Sequence, residues 1–452
     1  MTSITDRCSS ELILTSDCSG KNCSANLWDP VTGSLRHQYR AADKSHTGAL
    51  GQATLQPLRD SYVIGADVQK SLLYAWPVNS QVMVPNARFV TPGRVTALAA
   101  SPDGAVIVAA IGDTVCVWTT CNGELVRSFT KHYQPVTRLV FNADGTCFAS
   151  GGEDGLIFVW LLSRVANEAE FEPLSEFNYH SKTVTDLYFG KLNASNRLYS
   201  VSLDQSCRVY DIWKNQMLLG LVFDEQLTTV TCDLMENNLF VGDIKGVVEK
   251  FNLREPPRSI EYHVSLGEKF VYKGHEASIT ALSASNDCIT LLTGSKDCMV
   301  HMWDIASCQI LLTLKHQAPV VSAFFTQDCR NFNDPKFKPR FNICPLKKTA
   351  TTEGPVEIEG DLDYTDGSEF LTLSSSIDDN VNTSSIQAKI NKIEIENLKR
   401  KLENCKAELE KEKAKSKEVG KTNKNILKNA VNVLFDNDAP KAKKAKKTQN
   451  NK

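Results

Sequence analysis

Three features are missing from this 452-residue chain, and each narrows what it can be. No stretch approaches the roughly 18 consecutive apolar residues that a membrane-spanning helix needs, so a protein without a membrane partner is expected. None of the fourteen cysteines, scattered from Cys8 to Cys405, pairs at the C-x-x-C spacing of a zinc ribbon or a thioredoxin-like site. Residues 1–10 are polar and charged, not a basic segment followed by an apolar run, so no secretory signal is visible and a reducing compartment is expected. The nearest cysteine pairs, Cys18 with Cys23 and Cys116 with Cys121, sit beside expected strands or turns, where ordinary packing is expected in preference to metal ligation. No cofactor or metal is expected.

What is present is polarised. The formal net charge is only −2, but residues 386–452 hold 19 basic and 9 acidic side chains, and the remainder holds 32 basic against 44 acidic. An acidic body with a basic tail suits a tail that meets nucleic acid, an acidic partner or an import receptor. The length exceeds that of a usual single domain, so a large repeat domain with an appendage is expected.

The repeat is clearest from Gly274-His275 onward: SITALSAS, ITLLTGSKD, MVHMWD ending at Asp304, then QILLTLKH. Four short β-rich runs between turn residues, opened by Gly-His and with Trp-Asp closing the third, form the WD signature of a propeller blade. Matching aromatic anchors recur at Trp28, Trp76, Trp118, Trp160, Tyr210, Phe251 and Trp303, spaced by 48, 42, 42, 50, 41 and 52 residues. A blade takes about 40–45 residues, so these anchors predict an all-β, seven-bladed WD40 β-propeller over residues 1–330. Asp-Gly turns ending at Gly104 and Gly145 fit the hairpin between a blade's first two strands.

Three units add a histidine before the first strand and an aspartate six residues before the anchor: His132, Asp154, Trp160; His180, Asp204, Tyr210; His275, Asp297, Trp303. A His/Asp catalytic pair is one reading. The trio recurs around the ring, however, where catalysis needs one copy, so an internal hydrogen-bond network is expected and no catalytic residue is assigned. At the equivalent position Trp28 has Asn22, Trp76 has Lys70 and Phe251 has Lys245, while Trp118 has Asp113 one residue closer. Those blades are expected to rely on packing alone.

Only three strands fit around Trp28, whereas APVVSAFFTQD after Lys315-His316 reads as a first strand with nothing following. Residues 318–327 are therefore expected to supply blade one's innermost strand and join the two ends of the domain.

From about Asn331 the period stops, and residues 331–385 read as a largely irregular linker, with PRFNICPL a candidate to pack on the propeller surface. Over 386–435 a helical or coiled-coil segment is expected, because Ile395, Leu398, Leu402, Cys405 and Leu409 alternate by three and four among charged residues. A lone solvated helix is the alternative, and whether the partner helix belongs to the same chain or another stays open. Residues 436–452 read as a disordered basic tail in which Lys441, Lys443, Lys444, Lys446 and Lys447 resemble a nuclear localisation signal; contact with RNA by charge alone is the second reading.

KHYQPVTRLVFNADGTCFASGGEDGLIFVW at 131–160, with SLDQSCRVYDI, LLGLVFD and YKGHEASITALSAS, resembles the WD repeat-containing protein 18 family over roughly residues 10–330; the late NILKNAVNVLFDN fits that family's helical C-terminus. The resemblance implies the WD-repeat subunit of the rixosome, a nuclear complex of the nucleolus and nucleoplasm acting on the pre-60S particle. It further implies a scaffold joined to large helical-repeat subunits, a homodimer aided by the C-terminal helix, and cooperation with the midasin AAA ATPase in removing internal transcribed spacer 2. A WD-repeat adaptor in a chromatin, replication-origin or ubiquitin-ligase complex is the competing expectation, and an enzyme is not expected because no converging carboxylates or metal ligands stand apart from the blade-turn elements.

Overall fold

In the computed structural model, the described residues are 11–20, 23–40, 48–84, 89–167, 171–191, 197–264, 270–327, 330–332, 337–339 and 343–347. Their strands form seven antiparallel sheets, six of four strands and one of five, which are the blades of an all-β propeller. Each blade reads outward from an innermost strand on the central channel, and the second and third strands carry the most buried side chains. Runs such as Val106–Ile111 and Cys147–Gly152 are buried almost throughout, as strands packed between two neighbouring blades must be.

Blade one draws on both ends of the ring. Val320–Gln327 pairs antiparallel with Glu11–Asp17, which continues to Ala25–Trp28 and Leu35–Tyr39. Val320 and Ala323 are buried against Gly294 of blade seven, so this strand packs on its neighbour as well as completing its own sheet. Pairing along Glu11–Asp17 satisfies backbone groups that an open edge would leave exposed.

The long anchor spacings have structural causes. After Trp160 the chain adds the short helix Leu162–Asn167. After Phe251 it leaves blade six, where Glu261–His263 pairs parallel with blade five's outer strand Gln216–Val222, and then returns as Phe270–Lys273. Blade five thereby gains its fifth strand.

Neighbouring blades are also stitched together at the channel. The strand starts Val136–Phe141, Val184–Phe189, Leu227–Cys232 and Ile279–Ala284 each carry a bulge at a threonine. A bulge re-aims its extra residue out of the ladder. Thr137 Oγ1 donates to Val184 O at 2.5 Å, Thr185 Oγ1 to Leu227 O at 3.0 Å and Thr280 Oγ1 to Val320 O at 2.8 Å, while Thr96 Oγ1 reaches Val136 O at 2.8 Å. At three of these bulges, and at Thr96, the threonine therefore links its blade to the next, while Thr228 Oγ1 donates to Gly242 O within blade six.

Candidate partner-binding face

The His/Asp trios meet through a fourth residue that the sequence reading omits. In blade four, His132 Nδ1 faces Asp154 Oδ2 at 3.1 Å, and its Nε2 lies 2.9 Å from Ser150 Oγ. The Trp160 indole donates to the same Oγ at 3.0 Å. A neutral histidine satisfies every atom of this chain: Nδ1–H donates to the carboxylate, Nε2 accepts the serine proton, and Ser150 Oγ accepts from the indole. Blade seven repeats it with His275, Asp297, Thr293 and Trp303 at 2.7, 2.7 and 2.9 Å. In blade five, His180 bridges Asp204 at 2.9 Å and Ser200 at 2.6 Å, and the Ser200 hydroxyl stands 3.4 Å from that of Tyr210. The missed signal is a hydroxyl residue four positions before each aspartate.

Electrostatics agree with neutral imidazoles. Burial pushes the pKa values of His132 and His275 down, overcoming the upward pull of Asp154 and Asp297 respectively. Burial acts to raise Asp297, but hydrogen bonds from His275 and from backbone amides hold it below the usual carboxylate range. Gly152 has no room for a side chain, because a Cβ there would lie 2.5 Å from Asp154 Oδ1 and 2.6 Å from His132 Nδ1.

The expectation that the remaining blades rely on packing alone is corrected by where their anchors find acceptors. The Trp28 indole donates to Thr15 Oγ1 at 2.8 Å, and Asp17, two residues on, lies 3.6 Å from His316 Nδ1. Blade one thus assembles a looser version of the network from both ends of the ring, with its aspartate eleven positions before the tryptophan. Asn22 lies outside the described residues. At the hydroxyl's position blade two has Gly65, opposite Tyr74, and blade three has Ala109, opposite Cys116. Their indoles turn elsewhere: Trp76 donates to Arg40 O at 2.9 Å and Trp118 to Lys347 O at 3.0 Å. In blade six the anchor Phe251 has no N–H to satisfy, and Asp243 accepts the amides of Lys245 and Val247.

Each network carboxylate also grips the loop that follows its histidine. Asp154 accepts the Tyr133 amide at 3.0 Å, Asp204 that of Ser181 at 3.1 Å and Asp297 that of Glu276 at 3.2 Å. The result is a set of surface positions on fixed backbone at one end of the channel. Tyr133 is 85% exposed there, the largest exposure among the described large hydrophobic residues. An exposed tyrosine on a held backbone, with an apolar body and a polar tip, is the residue type that anchors protein interfaces.

The channel is a cavity of about 840 Å³ lined by the innermost strands. Its prominent ion pair, Arg138 Nε to Asp186 Oδ1 at 2.7 Å, joins blades four and five, and Asp186 Oδ2 accepts the Val230 amide of blade six at 3.1 Å. These partners give the pair a structural role across three blades. Among the described residues no group of three His, Cys, Asp or Glu side chains is placed to hold a metal, and no helix is long and apolar enough to cross a membrane. The seam residues Ile395, Leu398, Leu402, Cys405 and Leu409, and the tail lysines 441, 443, 444, 446 and 447, lie outside the described residues.

Comparison with known proteins matches the family model "WD domain, G-beta repeat" at residues 123–160, which take in blade three's outer strand and the inner three strands of blade four, and at 267–304, which take in blade six's outer strand and the inner three strands of blade seven. WD repeat-containing protein 18 of Danio rerio is 33% identical over 318 residues, covering 69% of this chain and 72% of its own length. The Homo sapiens protein of the same name is 29% identical over 318 residues, with the same two coverages, 69% and 72%. Pre-rRNA-processing protein IPI3 of Yarrowia lipolytica is 26% identical over 319 residues, covering 67% of this chain and 74% of its own length.

Proposed function

The chain belongs to the WD repeat-containing protein 18 family, and from that premise we propose that it is a non-enzymatic scaffold for precursor-rRNA processing in assembly of the large ribosomal subunit. The observation that carries this reading is the similarity to the Yarrowia lipolytica pre-rRNA-processing protein, which extends along 319 residues and is not confined to short WD motifs. A ring whose histidines and aspartates are used in its own blades, with Tyr133 held outward, suits a platform that binds other macromolecules.

In the finer form of the proposal, the ring joins large helical-repeat subunits, the assembled complex meets the pre-60S particle and the midasin ATPase, and the C-terminal segment pairs two copies of the chain. The basic tail supplies a nuclear address and a contact to rRNA. Internal transcribed spacer 2 is the segment whose removal the complex supports.

Depleting the protein and probing total RNA for that spacer tests the reading. Accumulation of spacer-containing precursors, reversed by the full chain, is expected. Normal precursor levels, with a defect in chromatin composition or in turnover of a ubiquitinated target, would replace it with the adaptor reading.

A further inference from the structure

Past the closing strand the chain remains attached to the ring. The Asn331 side-chain amide donates to Asp60 O at 3.2 Å, and that of Asn79 donates to Phe337 O at 3.2 Å, so successive points are fixed on blade two. Residues 343–347, Ile-Cys-Pro-Leu-Lys, then reach blade three. Ile343 and Leu346 are buried in the apolar cluster shared by blades two and three, with Tyr62, Leu125 and Trp118. The backbone is read as well: the Cys344 amide donates to Thr120 O at 3.4 Å, the Lys347 amide to Gly123 O at 2.7 Å, and the Trp118 indole to Lys347 O at 3.0 Å. Lys347 Nζ reaches Glu124 at 2.8 Å.

Two details of blade three fit this occupant. Ala109 stands where blades four and seven have Ser150 and Thr293, so the Trp118 indole has no hydroxyl acceptor within its blade and takes the Lys347 carbonyl. Gly123 lies in a turn at φ +64°, and a Cβ there would fall 2.2 Å from Pro345 O. Both a missing acceptor and a missing side chain are therefore filled by an extended peptide.

We propose that this surface of blades two and three is a binding site for an extended peptide with apolar residues at its first and fourth positions, proline at the third and lysine at the fifth. Residues 343–347 are its occupant in cis. The site fixes residues 343–347 to blade three, and a free peptide of the same pattern competes for it.

The test uses the full chain labelled with ¹⁵N at its six tryptophans, so that each indole N–H reports on its own blade. In Ile343→Asp/Leu346→Asp the Trp118 indole resonance is expected to move while those of Trp160 and Trp303 stay in place. Trypsin cleavage after Lys347 is expected to accelerate by about a hundredfold, since cleavage follows the population of the released form. A synthetic peptide of residues 341–349 should restore the original Trp118 resonance in that variant, and the same peptide with both apolar anchors replaced by aspartate should not. A second pair of variants keeps the occupant intact. Gly123→Ala and Gly112→Ala both put a side chain at positive φ, but nothing lies within 4 Å of a Cβ at Gly112. Release is expected for Gly123→Ala alone. Unchanged Trp118 resonance and protection in both the double variant and Gly123→Ala, or failure of the peptide to bind the released chain, would overturn the proposal.

Discussion

His316 Nδ1 stands 3.6 Å from Asp17 Oδ2, and the His316 ring meets the Trp28 indole edge to face at 5.9 Å. These contacts place a residue that follows the last strand of blade seven inside blade one, beside the strand pairing of Glu11–Asp17 with Val320–Gln327. The ring is therefore held closed by side chains as well as by a ladder.

Deleting residues 320–327 should lower the thermal midpoint of the full chain by about 10 °C or more, because it opens the edge of Glu11–Asp17 and uncovers blade seven. Differential scanning calorimetry gives the answer. An unchanged midpoint would mean that another segment closes the ring.

Ser150→Ala removes the atom on which two buried groups depend, leaving both Trp160 Nε1 and His132 Nε2 without a partner. A loss of about 2–3 kcal/mol in urea unfolding is expected, from the usual cost of orphaning a buried polar group. Ser150→Thr should stay within about 1 kcal/mol, because Thr293 fills the same role in blade seven. Equal losses in the two variants would show that volume, not the hydroxyl, matters.

Acid should weaken the ring through its histidines. Burial sets the pKa values of His132 and His275 below the ordinary 6.5, so the unfolded chain binds protons that the folded one does not. The stabilisation is then fully present above 6.5 and is lost as the pH falls below it. His301, its ring 4.4 Å from that of His275 and likewise shifted down by burial, has the same sign. Asp297, depressed by its His275 bond despite burial, adds a further loss at lower pH as it protonates. A midpoint that falls between pH 6.5 and 5, with a shallower slope in His132→Gln/His275→Gln, is expected; one that rises on acidification would contradict the neutral-histidine network.

Tyr133→Ala should leave the thermal midpoint within about 2 °C, since the side chain is 85% exposed, yet weaken capture of the ring's protein partner by about tenfold or more. Pull-down yield at fixed bait concentration measures this. Unchanged capture would move the contact to another face.

Much of the ring was legible because the aromatic anchors and Asp-Gly turns are local signals, and the three trios recur at one spacing. What stayed hidden depends on tertiary partners. Ser150, Ser200 and Thr293 look like ordinary strand residues until the histidine reaches them. Blade one's network was not legible because its histidine and its tryptophan lie at opposite ends of the ring's sequence, and its Asp17 is displaced from the position occupied by Asp154. Blade three reads as degenerate because Asp113 stands one residue too close to Trp118, although the indole is satisfied by Lys347, more than two hundred residues away. Thr137, Thr185 and Thr280 look like ordinary strand residues until the bulges turn their hydroxyls to the next blade.

Sequencing the RNA that co-purifies with the tagged full chain from nuclear extract tests the proposed role in precursor-rRNA processing most directly. Enrichment of precursor large-subunit rRNA containing internal transcribed spacer 2, with midasin among the co-purifying proteins, is the predicted result. Recovery of cullin or histone-modifying subunits without precursor rRNA would contradict it.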